Sequence, residues 1–217
     1  MPMYVPIMLD QPSAALAPAG IISATPPAGA SPAGTRARST ISVSRRRLNV
    51  LDGQSATVAG ALRPGLAGRL VMLQTLGRHG WSTVSRARTG AKGHFQLRYQ
   101  AGGVGSARVR VRFAGDPLDL AARRRLGWLN VYRIVGASWY GGGGSLACGG
   151  SLTSSTLGVA NKTLPCGTLV TLRYGGRSVR VPVIDRGPYV GGREFDLTEA
   201  TKHALGFGDT GALWSSR

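Results

Sequence analysis

From Arg177 the chain reads RSVRVPVIDRGPYVGGREFDLTEATKHAL, the stretch around which the rest is arranged. Val179, Val181 and Val183 recur at every second residue, the period of a strand with one buried face. Pro182 lies among them and has no N–H to give to a ladder, so an edge or a bulged strand is expected. Asp185-Arg186-Gly187-Pro188 is a run of turn formers that ends the strand. A second loop, Val190-Gly191-Gly192-Arg193, leads into a short helix. Asp196 is expected to cap that helix, with Glu199 at capping-box spacing and Gly206 at its end. Two carboxylates, Asp185 and Asp196, therefore fall at a strand end and a helix start. Each has an arginine close by, Arg186 and Arg193, and glycines leave open space around them. This is a candidate site.

Upstream, residues 41–133 alternate between short apolar-polar runs and turn residues. The expected strands are Ile41–Val43, Ser55–Leu62, Leu70–Thr75, Trp81–Ala87, His94–Tyr99 and Ala107–Phe113. Short strands at this spacing predict an antiparallel β-sandwich. Gly60, Leu62, Pro64, Gly80-Trp81, Gly93, Phe95 and Arg110–Phe113 together resemble, loosely, the immunoglobulin-like domains of bacterial surface proteins. Residues 116–133 are read as the joint between this unit and the next, with room for the last strand of the sandwich. Residues 1–40, rich in Ala, Pro, Gly and Ser, read as a disordered leader or linker. Their start is a poor secretion signal, because it lacks a basic first region and Asp10 interrupts the apolar part.

The charge is strongly basic, with 27 Lys+Arg against 9 Asp+Glu. It is also uneven: residues 36–133 carry 19 basic and 3 acidic side chains, and residues 134–217 carry 8 and 5. The excess lies outside the candidate site. Arg108, Arg110 and Arg112 alternate with Val109 and Val111, which places the arginines on one solvent face. That face is either simply solvated or a patch for an anionic wall polymer such as teichoic acid. Nucleic acid is not expected, because no aromatic interleaving accompanies the charge. His79, His94 and His203 match no metal-ligand spacing, and no metal or cofactor is implied. No stretch reaches the roughly 18 apolar residues of a membrane span.

From Ile134 four motifs follow in order: Ala137-Ser138-Trp139-Tyr140-Gly141, Ala160-Asn161-Lys162-Thr163-Leu164-Pro165-Cys166-Gly167-Thr168, Val183-Ile184-Asp185-Arg186-Gly187-Pro188-Tyr189 and Asp196-Leu197-Thr198. Over these roughly 80 residues the chain resembles the RlpA-like (rare lipoprotein A) double-psi β-barrel family. The resemblance implies a six-stranded barrel over residues 134–217. It implies an endolytic peptidoglycan transglycosylase, which cleaves between N-acetylmuramic acid and N-acetylglucosamine without water and leaves a 1,6-anhydro sugar. Related barrels occur in expansins, and some relatives bind the wall without demonstrated cleavage. A non-catalytic wall-binding or wall-loosening module is the alternative reading.

A lytic reaction needs one acid that protonates the leaving oxygen and then accepts the proton of the C6 hydroxyl. By the resemblance Asp185 takes that position and Asp196 that of the second barrel aspartate. From the residues alone, Asp185 could instead close a turn, and Asp196 could serve as the helix cap. Arg186 would favour the ionised carboxylate if the two side chains met, or it could point outward to grip substrate. Tyr140 and Tyr189 are expected to stack on sugar rings; Thr153, Asn161 and Arg193 complete the expected substrate-binding set. The chain departs from the family in three places. Gly150 stands where the family enzymes carry Glu, Thr153 where they carry Asp, and Asn161 where they carry His. A wall protein works in an oxidising compartment, so Cys148 and Cys166 are expected to pair. The whole is thus read as an all-β, secreted or wall-associated monomer of two domains, 41–133 and 134–217, acting on peptidoglycan glycan strands.

Overall fold

The computed structural model describes residues 35–217. Most of the expected leader over residues 1–40 thus lies outside the described residues. All six strands expected upstream are present. In β3 (Ser55–Arg63) and β6 (His94–Gln100), Ala56, Val58, Leu62, Phe95 and Leu97 turn inward at the strand period. These two strands and β1 (Thr40–Arg47) form one antiparallel sheet in the order β1-β3-β6. Gly60 cannot be replaced in this sheet, since a Cβ there would lie 2.0 Å from the Ser42 carbonyl oxygen.

The facing sheet contains β4 (Leu70–Gly77), β5 (Gly80–Arg88), β7 (Gly105–Phe113) and the first part of β8 (Ala122–Tyr140), in the order β5-β4-β7-β8. The short β2 (Asn49–Leu51) pairs in parallel with β8. Val71, Leu73, Val109, Val111, Leu129 and Val131 of this sheet share one buried cluster with Val58, Leu62, Phe95 and Leu97 of the other.

The expected joint at 116–133 is largely a strand. β8 runs unbroken for 19 residues through Arg133 and Ile134. The sequence leaves room for a last strand here, but a bulge opposite Val109/Arg110, next to Gly127, breaks its alternation and obscures its extent. Its first part pairs with β7; its second part enters a closed barrel.

That barrel has six strands: the end of β8, then β11 (Val159–Ala160), β12 (Leu169–Tyr174), β13 (Arg177–Asp185), β14 (Phe195–Thr198) and β15 (Thr210–Ser215). The order is β14-β11-β13-β12-β15-β8, and β14 pairs again with β8 to close the ring. Two pairings are parallel, β11 with β13 and β14 with β8, and the closed six-stranded form is consistent with the expected double-psi β-barrel. Val135, Val159, Val170, Leu172, Val183, Phe195 and Leu213 fill it, and Leu205 of α1 (Glu199–Leu205) seals one side. A small hairpin of β9 (Gly144–Ser145) and β10 (Ser151–Leu152) stands outside the ring.

The two parts touch beyond β8. The Tyr132 and Trp214 rings lie 5.7 Å apart, and Arg180 of β13 lies 4.2 Å from the Trp128 ring of β8.

Candidate functional site

β13 places Asp185. Pro182 is tolerated although β13 is an interior strand of the barrel, because its nitrogen faces the β11 side, where pairing begins only at Val183; the bulge against β11 lies further on, between Val183 and Asp185. Of the two expectations for Pro182, the bulge holds and the edge does not. Asp185 is half-buried, and its Oδ1 accepts two backbone N–H groups, from Ala147 at 2.9 Å and Arg186 at 2.8 Å. The second is the turn-closing role open to an Asp at this position; the first is long-range. Ala147 is held in place by its neighbour: Cys148 N–H donates to the Ile184 carbonyl, and Cys148 is disulfide-bonded to Cys166. The expected pairing is present, with Cα atoms 5.6 Å apart.

Asp196 faces the same region from the other side of β11. Ala160 pairs with Asp185 on one flank and with Asp196 on the other, so the two aspartates stand two strand spacings apart, about 10 Å between backbones. The Ser138 hydroxyl, directly opposite in β8, donates to Asp196 Oδ1.

Tyr140 ends β8 between these carboxylates. Its hydroxyl is buried and makes no hydrogen bond among the described residues, although Asp185 is near enough to act on it. Burial, then the charge of Asp185 and more weakly that of Asp196, pushes its pKa well above the usual tyrosine value. It is therefore a neutral phenol, able to donate, throughout the physiological range. A phenol kept neutral in the fold contributes stability that is whole below the unfolded value near pH 10 and is lost as pH rises beyond it. Tyr132 is shifted in the same direction, mainly by burial. Alkaline unfolding followed by denaturant midpoint should show Tyr140→Phe losing stability less steeply above about pH 10 than the wild type. Equal slopes would contradict this placement.

The helix start is a correction. Asp196 lies within β14 and does not cap α1; Thr198 does, its hydroxyl accepting from Thr201 N–H, with Gly206 in the left-handed conformation at the other end as expected. The strand pairing of Phe195–Thr198 with β8 and β11 carries Asp196 into the barrel wall, which excludes it from the cap. Thr198 and Thr201 also hydrogen-bond the Gly158 backbone, tying the helix to the chain entering β11. Thr198→Ala should cost about 1–2 kcal/mol, read as a lowered denaturation midpoint. No change would mean that the cap and the Gly158 hydrogen bonds contribute nothing.

The remaining expected residues divide. Arg186 neither pairs with Asp185 nor points outward: it donates to the Asn161 and Leu164 carbonyls and to Cys166 Sγ. Asn161 is 3 % exposed, donates to the Glu194 carbonyl and accepts from Thr163 and Leu164 N–H. Both shape the loop of residues 161–166, and neither is free for a ligand as placed. Thr153 is exposed and bonded within its own turn to Ser155 and Thr156. Tyr189 is 80 % exposed, beyond the strand end. Arg193 is half-buried, while its neighbour Glu194 pairs with Arg133 of β8. Gly150 has φ of +81° and open space around it, so a glutamate there would need a strained backbone. The site thus gathers Asp185, Asp196 and Tyr140, and adds Ser138 and the Ala147 N–H, which the sequence did not single out. Among the described residues no group of three or more His, Cys, Asp or Glu could hold a metal, and no helix is long and apolar enough to cross a membrane.

Residues 133–213, which contain all of these groups, match the family described as lytic transglycolase. The barrel is RlpA-like. A protein of Aquifex aeolicus named probable endolytic peptidoglycan transglycosylase RlpA is 44% identical over 75 residues, 32% of this chain and 33% of that protein. The endolytic peptidoglycan transglycosylase RlpA of Pseudomonas aeruginosa is 41% identical over 87 residues, 37% of this chain and 26% of that protein. The chain therefore spans about a third or less of the length of these curated relatives, and the likeness is confined to the RlpA-like barrel. Among solved structures, the Streptomyces papain inhibitor aligns over 38% of this chain and 91% of its own, at 26% identity and a TM-score of 0.32.

Proposed function

We propose that this protein is an endolytic peptidoglycan lytic transglycosylase of RlpA type. It would cleave glycan strands between N-acetylmuramic acid and N-acetylglucosamine to 1,6-anhydro products. The observation that carries the reading is the fixed carboxylate of Asp185. Two N–H groups hold Oδ1, among the described residues no hydrogen bond engages Oδ2, and the neutral Tyr140 hydroxyl stands beside it. In this reading the protonated Asp185 gives its proton to the glycosidic oxygen as the C1–O bond breaks. The resulting carboxylate then takes the proton of the C6 hydroxyl as O6 bonds to C1, so the proton is restored and no water enters. Asp196, held by Ser138, and the exposed Tyr189 would border the sugar. The test is incubation of the protein with purified peptidoglycan and mass spectrometry of the soluble fraction. Anhydro-muropeptides are expected; hydrolysed, reducing-end products would overturn the reading.

A second reading has its own support. Gly150 and Asn161 occupy positions where family enzymes carry Glu and His, and Asn161 is consumed by loop hydrogen bonds. An expansin-like module that binds the wall without cutting it would be retained on insoluble peptidoglycan and release no anhydro product.

The first two sheets are proposed to be an immunoglobulin-like sandwich, and residues 41–133 and 134–217 separate domains of a secreted monomer. The separate buried clusters favour the division, and the disulfide fits an oxidising compartment. A fragment of residues 132–217, which keeps the Tyr132–Trp214 ring pair, is then expected to give a cooperative unfolding transition in its oxidised form. A fragment without one would count against two independent domains.

A further inference from the structure

The outer face of β7 and β8 carries arginines that the site does not use. Arg112 is paired across the two strands with Arg123, and Arg110 with Arg125. Directly opposed residues of an antiparallel pair point to the same face, so four guanidinium groups share it, and Arg108 continues the row. Burial and then the charges of Arg112, Arg123 and Arg125 lower the pKa of Arg110, which shows how closely they converge. Among the described residues none of these five arginines lies within 4.0 Å of a carboxylate; the ion pairs belong to Arg69, Arg133 and Lys202. Like charges facing one another without counter-ions oppose folding.

The arginines are also oriented. Arg110 Nε donates to Gln74 Oε1 at 2.9 Å; Gln74 is 5 % exposed and is itself fixed by donating to Thr83. The Arg110 guanidinium lies 4.0 Å from the Trp81 ring, and among the described residues its terminal nitrogens have no hydrogen-bond or ion-pair partner. Arg108 lies 4.8 Å from the Trp128 ring, and Arg180 of the barrel 4.2 Å from the same ring, so the row continues onto the barrel.

The geometry points to this face as a binding track for a linear polymer of phosphodiester-linked polyol units. Alternate residues of a strand are about 6.6–6.8 Å apart and neighbouring strands about 5 Å, so the row offers regularly spaced cations to regularly spaced single charges. A guanidinium fixed through Nε leaves its other nitrogens to engage phosphate oxygens. Trp81 and Trp128 are already covered by arginines, so they do not offer the bare stacking platforms that bind nucleic-acid bases. That the polymer is a wall component rests on the proposed function; that the face takes a phosphodiester polyanion does not.

The test uses the full chain and purified polyglycerol phosphate, with binding measured across a salt series. One variant combines Arg110→Gln, Arg112→Gln and Arg123→Gln. A second, Arg47→Gln, Arg63→Gln and Arg98→Gln, removes the same charge from exposed positions on the opposite sheet. Removing one phosphate-neutralising arginine lowers the slope of log affinity against log salt by about 0.7 for a flexible strand. The first variant should therefore lose about 2 from that slope and bind at least ~10-fold more weakly at low salt, and the second should bind like the wild type. Equal losses in both would assign binding to net charge and overturn the track. So would absence of binding at low salt, or tighter binding of single-stranded DNA of equal charge. Cleavage is scored separately on glycan strands stripped of phosphate polymers. Loss of cleavage with polymer binding intact sinks the enzymatic reading alone, and the converse sinks only the track.

Discussion

Asp185→Asn is expected to abolish release of anhydro-muropeptides from peptidoglycan while leaving the melting temperature close to that of the wild type. Losing a group that both gives and takes a proton in the bond-breaking step costs about 100- to 10,000-fold in rate. Stability should survive because the asparagine carbonyl can still accept from the Ala147 and Arg186 N–H groups that hold Oδ1. Asp185→Ala is the contrast. It leaves both N–H groups without their acceptor and should lower the melting temperature as well as the rate. Full activity in Asp185→Asn would remove Asp185 from the chemistry. A wild type that binds wall material but gives no anhydro sugar would favour the binding module.

The second large effect is that of Cys148→Ser with Cys166→Ser. The bridge spans 18 residues of sequence and encloses β10 of the small hairpin and a Gly/Ser/Thr-rich loop. Closing a loop of that size in the unfolded chain stabilises the fold by about 3 kcal/mol. For a separate barrel domain of residues 134–217 the transition of the double variant should then lie about 12–24 °C lower. It should also cleave more slowly, because the bridge holds the segment from which Ala147 N–H reaches Asp185. A variant that melts as the wild type does would show that the loop is held by other interactions.

The local pattern of this chain was legible wherever one physical cause dominated. Period-2 alternation in Val179, Val181 and Val183, and in upstream runs such as Ala56–Val58 and Phe95–Leu97, placed strands correctly, because each of these has one buried face and the pleat imposes that period. Two cysteines in a chain read as extracytoplasmic left one pairing. A glycine after a short helical run had a ready use as the left-handed cap at Gly206. The order of motifs around Asp185 sufficed for the family resemblance.

Tertiary structure decided whatever depended on partners distant in sequence. Asp196 and Thr198 are both residues that cap helices, two positions apart. Only the pairing of β14 with β8 and β11 assigns one to the barrel wall and the other to the cap. Arg186 adjoins Asp185 in sequence, yet its guanidinium turns to carbonyls 22 and 25 residues away. Asn161 looked free to meet a ligand until the fold enclosed it. β8 looked like a joint because a bulge and a run of arginines broke its alternation, and its continuity exists only through pairing with β7 and then β15. Tyr140 acquires its neutral phenol from burial and from two carboxylates 45 and 56 residues further along the chain, brought beside it by barrel closure. Residue type and period settle which backbone states are favourable locally; hydrogen-bond partners and electric fields are set by distances in space, which exist only once the ring has closed.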